Sequence, residues 1–347
     1  MHGGDRVTEK IALIYDEITP RSNGSWVEAE YESPESIDAL LAAIGEHCDE
    51  AVAIPFDSQL LERVAFHAPD LVFNIAEGRG GPSRESIVPS VMQLLAVPYT
   101  GSDGVSLGIS LNKAVTKQLA AHAGIRTPRS WLFHSSRQAA ERCASVEFPV
   151  LVKPNFGGSS VGISPGSIVQ QPARLPSVVG ECVDRYDQPC LVEQYVTGED
   201  VTIGLLGNDP VEILPPGAIR TPDGLYSAEA KRNHNRECIC PCPLPDDLRE
   251  QLAAWSLAIH RLIGARDFSR VDYIVDREGR AFFLEINPLP GLSPYYGIMP
   301  VLAAAAGYTY TGLIGAIIAA SLERQLTERS SMRERLGAGA AKQYHVG

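Results

Sequence analysis

Residues 269–288 read SRVDYIVDREGRAFFLEINP, two strand-like runs around Glu278-Gly279. If those two residues form the tight loop of a hairpin, Asp272 falls opposite Glu285 and Arg270 opposite Asn287. Side chains alternate between the faces of a strand. Val271, Tyr273, Val275, Phe282, Leu284 and Ile286 then make an apolar face. Arg270, Asp272, Glu285 and Asn287 gather at one end of the other face. A slip of one residue scatters both sets, so the apolar pattern selects the register and the register collects the polar groups. Two carboxylates and an amide oxygen this close form a hard-cation site, because like charges at short range repel unless a cation sits between them. Mg²⁺ holding nucleotide phosphates suits such a site, and Arg270 beside it suits a phosphate or a developing negative charge. A salt-bridge cluster at a strand end is the plainer alternative.

A second constraint is FPVLVKPNFGGSSVGI, Phe148 to Ile163, read as strand, Gly/Ser loop, strand. Lys153 ends the first strand. Gly157, Gly158, Ser159 and Ser160 expose backbone N–H groups without bulk, as a phosphate-covering loop requires. The GxxxxGK[ST] spacing is absent, so this is not a Walker A loop, and a flexible hairpin remains open. Lys113 and Lys117 share a helix face at i, i+4; Lys117 is read as solvated. Asp200 suits either ribose hydroxyls or a surface turn.

With 347 residues the chain is long enough for two or three domains. At 44% hydrophobic and 21% charged it can bury a core, which excludes global disorder. A net charge of −12 disfavours nucleic acid and anionic membranes as partners. Seven cysteines do not make a disulfide framework, and with no signal peptide the expectation is a reducing cytoplasm. Cys238, Cys240 and Cys242 alternate as in a strand and are read as packing residues rather than a zinc site. His122, His134 and His260 are read as ordinary. The apolar run from Val301 to Leu322 is split by Gly307 and Tyr308–Thr311, which predicts two core helices rather than a membrane span.

KIALIYD, EAVAIPF and DLVFNIAEG read as buried strands alternating with SPESIDALLAAI and SRESIVPSVMQLL, helices opened by Ser caps. That alternation predicts a parallel sheet. SLGISLNKAVTKQLAAHAG reads as one helix stopped by Gly124. SWLF, FPVLVKPN, SSVGIS and PCLVEQYV read as strands around a helix near residues 173–186. DVTIGLLG, VEILPP, a helix ending near Ile263 and the hairpin follow.

In order along the chain, NKAVTK, VLVKPNFGGSSVGI, LVEQYVTGEDVTIGLLG, AEAKR, RVDYIVD and FLEINPLPG resemble the motifs of ATP-grasp carboxylate–amine ligases, D-alanine–D-alanine ligase and its relatives above all. FNIAEGRGG and VPYTGSD fit the N-terminal domain of the same group. The resemblance runs from about Lys10 to Leu322. It implies an α/β (α+β) ATP-grasp fold in three domains. These are an N-terminal Rossmann-like parallel sheet over 1–104, a central unit over 105–197 with the phosphate loop, and a C-terminal unit over 198–325 with the metal site. A flexible tail over 326–347 follows. ATP lies between the second and third, and transfer of its γ-phosphate to a carboxylate gives an acyl phosphate that an amine attacks. Lys113, Lys153 and Ser160 then face phosphates, Glu193, Tyr195 and Val196 bracket adenine, Asp200 faces ribose, and Lys231 contacts nucleotide. Asp272, Glu285 and Asn287 hold two Mg²⁺, for which Mn²⁺ can substitute. Arg270 and the Gly291 N–H stabilise the oxyanion, and Ser159 closes over the first substrate. Relatives are often homodimers.

Three departures touch the acceptor half. Arg232 stands where D-Ala–D-Ala ligases place Tyr. SPYYGIMP is one residue longer than the family's Ser-Leu segment, which puts Tyr296 and Gly297 near that place. The glutamate that orients the first amino group is Glu28, Glu30 or Glu32. An altered polar set predicts an altered substrate.

Overall fold

The computed structural model describes residues 8–17, 26–222, 224, 227, 229 and 236–342. The first sheet is parallel. β1 (Thr8–Tyr15) lies between β2 (Cys48–Pro55) and β3 (Leu71–Asn74), with Ile11 opposite Ala51 and Leu71. Ile11 to Ile14 are all fully buried. A central parallel strand is covered on both faces, which is why this one reads as a continuous apolar run. α1 (Pro34–Gly45), α2 (Leu60–His67) and α3 (Ile87–Leu95) connect and flank these strands. Ser33 caps α1 through the Ser36 N–H at 3.3 Å, with Pro34 at its first turn. α3 lacks the Ser side-chain cap expected for it and is led in by a 3-10 turn at Arg84–Ser86.

The segment read as one helix is two, α4 (Gly104–Leu111) and α5 (Lys113–His122). Asn112 leaves helical geometry and caps α5 through the Val115 N–H at 3.2 Å. The break matters because Asn155, just after the strand Val150–Pro154, accepts from Ala114 N–H at 3.0 Å and donates to Asn112 Oδ1 at 2.9 Å. Lys113 is thereby set at a helix N-terminus beside the Gly/Ser loop.

The second sheet is antiparallel, in the order β4 (Ser130–Phe133), β7 (Cys190–Gln194), β5 (Val150–Pro154), β6 (Ile168–Val169). α6 (Ser136–Arg142), which the sequence reading missed, and α7 (Leu175–Tyr186) cover it. SSVGIS is not a strand. Ser159 and Ser160 sit at φ 49° and 56°, left-handed values that break any ladder, and only Ile168–Val169 pairs with β5. Cys182 on α7 and Cys190 on β7 form a disulfide.

The third sheet follows the order β11 (Glu237–Ile239), β10 (Gly217–Arg220), β8 (Gly198–Leu206), β12 (Phe268–Asp276), β13 (Ala281–Asn287), with β9 (Glu212–Ile213) on β8. α8 (Asp246–Ile263) packs under it. α9 (Ile298–Ala305) and α10 (Tyr310–Lys342) follow. The two are bent by 96° about Gly307, and among the described residues no single helix is long and apolar enough to cross a membrane. Leu313, Ile314 and Ile317 of α10 share one core with Ile11, Leu13 and Leu40 of the N-terminal unit. Cys238 and Cys240 pack against that core and Cys242 against the next. His260 is buried on Ser269 Oγ at 2.8 Å, and burial lowers it to about 4, so it is neutral.

The β12–β13 hairpin has the expected register at its polar end, Asp272 opposite Glu285 and Arg270 opposite Asn287. Beyond Asp272 the register shifts by one, pairing Tyr273 with Phe283 and Val275 with Ala281. The turn is longer than two residues, with Asp276 N–H donating to Arg280 O at 3.0 Å and Gly279 at φ 77°. A β-bulge absorbs the difference. Phe283 and Ala281 therefore enter the core, while Phe282 and Leu284, expected there, are only half-buried. Leu284 instead lines the cavity described next.

Candidate active site

The second and third sheets enclose a cavity of about 730 Å³, and the N-terminal unit closes its far end. Lys113, Lys153, Ser159, Ser160, Glu193, Tyr195, Val196, Asp200, Arg270, Asp272, Glu285, Asn287, Gly291, Tyr296 and Gly297 all line it. Lys231 and Arg232 lie outside the described residues. The polar end of the hairpin, the phosphate loop and the N-terminus of α5 thus converge on one space, although they are separated by up to about half the chain.

The nucleotide half is organised by a buried carboxylate. Glu193 on β7 lies between Lys153 Nζ at 2.5 Å and Lys117 Nζ at 2.8 Å. Burial opposes its charge, but the two lysines hold it down to about 2. Lys117 was read as solvated, and that reading is wrong: it is 2% exposed, with Thr127 Oγ1 at 2.9 Å and Phe283 O at 3.4 Å. Facing the sheet rather than water, it neutralises Glu193 and leaves this trio one net positive charge. Tyr195 N–H is engaged by Pro149 O at 2.9 Å, so a base-edge contact from Tyr195 has to use its carbonyl. Asp200, nearby on β8, is raised to about 7 by burial and then by Asp272.

At the polar end of the hairpin, Asp272 is held bidentately by Arg270 at 2.9 and 2.8 Å, and accepts from Thr202 Oγ1 at 2.6 Å and Asn287 Nδ2 at 2.9 Å. Glu285 pairs with Lys113 at 2.7 Å, and its carboxyl, disfavoured by burial, is held at about 2 by Lys113 and Lys153. Both carboxylates reach the cavity, with side chains 17% and 24% exposed. Asn287 turns its amide nitrogen to Asp272, which leaves its oxygen for a cation. The donor set is hard and all oxygen, which fits Mg²⁺. Among the described residues no three His, Cys, Asp or Glu side chains group to hold a metal by themselves.

The acceptor half is carboxylate-rich. Glu30, Glu32, Glu77 and Glu85 line the far wall. Glu32 accepts from Leu292 N–H at 3.1 Å and Tyr296 Oη at 2.7 Å, and Tyr296 Oη also accepts from Ser33 N–H at 2.9 Å. Tyr296 therefore ties the acceptor loop to the N-terminal unit. Gly297 folds back with its N–H on Ser293 O at 2.9 Å, so closely that a Cβ there would lie 2.5 Å from that oxygen. Glu30 pairs with Arg84 at 2.6 Å and accepts from Gly158 N–H of the phosphate loop. Of the three candidate glutamates, Glu30 and Glu32 line the cavity wall. Burial, then Glu85 and Glu30, raise Glu77; burial raises Glu85 to about 7 against the pull of Arg84. Sequence reasoning missed Glu77, Arg84 and Glu85. The charged pair in SRESIVP, inside an otherwise apolar helix start, was the available signal.

A strand-bounded phosphate loop facing a carboxylate hairpin across a nucleotide-sized cavity defines an ATP-grasp enzyme. The sequence profile of the D-ala D-ala ligase C-terminus matches residues 114–319. D-alanine–D-alanine ligase of Nitratidesulfovibrio vulgaris is 36% identical, over 81% of this chain and 89% of its own. The Sinorhizobium fredii protein y4sG, whose name carries no activity, is 34% identical over 81% and 85%. D-alanine–D-alanine ligase from Bacillus anthracis superposes with a TM-score of 0.74 at 25% identity, covering 92% of this chain and 99% of that one. The chain belongs to the D-alanine–D-alanine ligase family, ATP-grasp enzymes that form a peptide bond.

Proposed function

We propose that the protein joins a carboxylate to an amine through an acyl phosphate made from ATP, releasing ADP and phosphate, and that its substrates differ from a pair of D-alanines. The observation that carries the first part is the convergence of Lys113 and Lys153 with Asp272, Glu285, Asn287 and Arg270 on one cavity. Lys113 and Lys153 bind phosphate oxygens in this reading, and Ser159 and Ser160 present the loop above them. Asp272, Glu285 and Asn287 hold Mg²⁺, which supplies neutralisation of the phosphate charge. A carboxylate oxygen of the first substrate attacks the γ-phosphorus and ADP leaves. The amine then attacks the acyl carbon, Arg270 and the Gly291 N–H stabilise the oxyanion, and phosphate departs with one original carboxylate oxygen. The units 1–104, 105–197 and 198–325 serve as acceptor wall, phosphate loop and metal hairpin.

Support for altered substrates comes from the acceptor half. Tyr296, in a segment one residue longer than the family's, is bound to Glu32. The wall of Glu30, Glu32, Glu77 and Glu85 suits an ammonium group, which D-alanine also bears, so it supports the amino-acid class and leaves the difference in substrate to the Tyr296 segment. The partners in this reading are small molecules only. D-Ala–D-Ala ligation is the second reading, favoured by the named relative from Nitratidesulfovibrio vulgaris. The test is ADP and phosphate release with Mg²⁺ across D- and L-amino acids, singly and in pairs, with mass detection of products. A preferred pair other than D-Ala with D-Ala supports the proposal. Equal or better turnover of D-Ala alone overturns its second part, and no ADP with any pair counts against its first.

A further inference from the structure

We infer that Arg84 is a positioning residue that sets the phosphate loop from the N-terminal unit, so that the grip on the ATP phosphates depends on a side chain that never touches them. The inference rests on the nucleotide reading of the cavity proposed above. Arg84 is 1% exposed and lies at a junction of three segments. Its Nη1 donates to the Phe156 carbonyl at 2.7 Å, and its Nη2 donates to Glu30 at 2.6 Å. Its guanidinium also lies over the Trp26 ring, 5.8 Å from the centroid. A planar fork is the one side-chain shape that reaches a carbonyl and a carboxylate at once in fixed directions.

Both contacts lead to the same loop. Phe156 opens it, and its N–H is fixed by Gln188 Oε1 at 2.7 Å within the central unit. Its carbonyl is fixed by Arg84 from outside that unit. Two residues on, Gly158 N–H donates to Glu30, the carboxylate that Arg84 orients. Then come Ser159 and Ser160, consecutive non-glycine residues in left-handed geometry. Such residues cost free energy and persist only where the surroundings hold them. Internal bonds of the loop, Val161 N–H to Gly158 O and Ile163 N–H to Ser160 O, close small turns but do not orient the whole segment over the cavity. The Arg84–Glu30 pair holds the loop from the N-terminal unit.

A purely structural arginine would matter to folding and equally to every ligand. A positioning arginine matters to ligands that the loop touches. The loop faces phosphates, whereas the base lies by β7, so the two roles separate in a comparison of ligands. Binding of a non-hydrolysable ATP analogue with Mg²⁺, and of adenosine, is to be measured on the full chain by calorimetry for wild type, Arg84→Met, Arg84→Lys and Glu30→Gln. Loss of a charged hydrogen bond's worth of positioning predicts that Arg84→Met weakens the analogue about tenfold or more and adenosine less than about twofold. Arg84→Lys, with a single ammonium for two acceptors, restores part of the loss. Glu30→Gln keeps an acceptor for Gly158 but not the ion pair, and weakens the analogue about threefold. Circular dichroism melts verify that each variant folds; if Arg84→Met does not, Arg84→Lys and Glu30→Gln decide. Unchanged analogue affinity, or equal losses for analogue and adenosine, overturns the inference. A wild type that binds the analogue no better than adenosine removes the nucleotide reading and this inference with it.

Discussion

Lys117→Met removes a charge that no ligand is expected to touch. The Lys117 ammonium is 2% exposed and 2.8 Å from a Glu193 carboxylate that is itself buried. Deleting one partner of a buried pair costs about 3–5 kcal/mol, because the other charge is stranded. Glu193 keeps Lys153 at 2.5 Å, so the lower end, about 3 kcal/mol, applies. Methionine replaces the hydrocarbon stem, so little cavity cost is added. At about 2 °C per kcal/mol for a long chain, the melting temperature falls by about 6 °C at pH 7. The pH dependence gives a second check. Glu193 is held at about 2, below its ordinary 4.5. The stabilisation is therefore complete above about pH 4.5 and disappears as the pH falls toward 2. The gap between variant and wild type should narrow over that window. Lys153, left as the sole partner of Glu193, is drawn closer to it, and the KM for ATP rises. Thermal melts at pH 7 and pH 3 provide the assay. A variant that melts within about 1 °C of wild type at pH 7 would refute the view of this trio as a charge-balanced core.

Asp200 is raised from 3.8 to about 7 by burial and by Asp272, so its ionisation destabilises the fold increasingly as pH rises from about 4 to about 7. Asp200→Asn should melt higher than wild type at pH 8 and the same at pH 3, while binding ATP more weakly; equal melting at pH 8 would contradict this. Glu285→Gln removes the carboxylate that faces Lys113, and should lower kcat by a factor of about 100 to 1,000 while leaving the fold intact. Retention of full activity would mean that Glu285 holds no metal.

The polar end of the hairpin was legible because it lies on one strand pair whose apolar residues fix the register. Its other end was not. A three-residue turn and a bulge at Leu284 compensate each other, and neither shows in the alternation itself. Lys117 was misread for a similar reason. Its spacing from Lys113 is the same on a solvated face as on one packed against β13, and only the tertiary contact with Glu193 distinguishes them. The helix break at Asn112 was masked by good helix formers on both sides, although the Asn itself is a cap signal. Arg84 was passed over within a helix start, and its burial depends on Glu30 and Phe156, 54 and 72 residues away. Motif order, in contrast, was enough for the ATP-grasp fold, because each motif brings its own local geometry to the cavity.

The proposed reaction begins with a carboxylate oxygen attacking the γ-phosphorus of ATP. The direct measurement is to label the carboxylate of the preferred first substrate with oxygen-18, run the ligation, and analyse the released nucleotide and phosphate by mass. Attack at the γ-phosphorus gives ADP without label and phosphate carrying one labelled oxygen. Labelled AMP, or phosphate free of label while product forms, would contradict it.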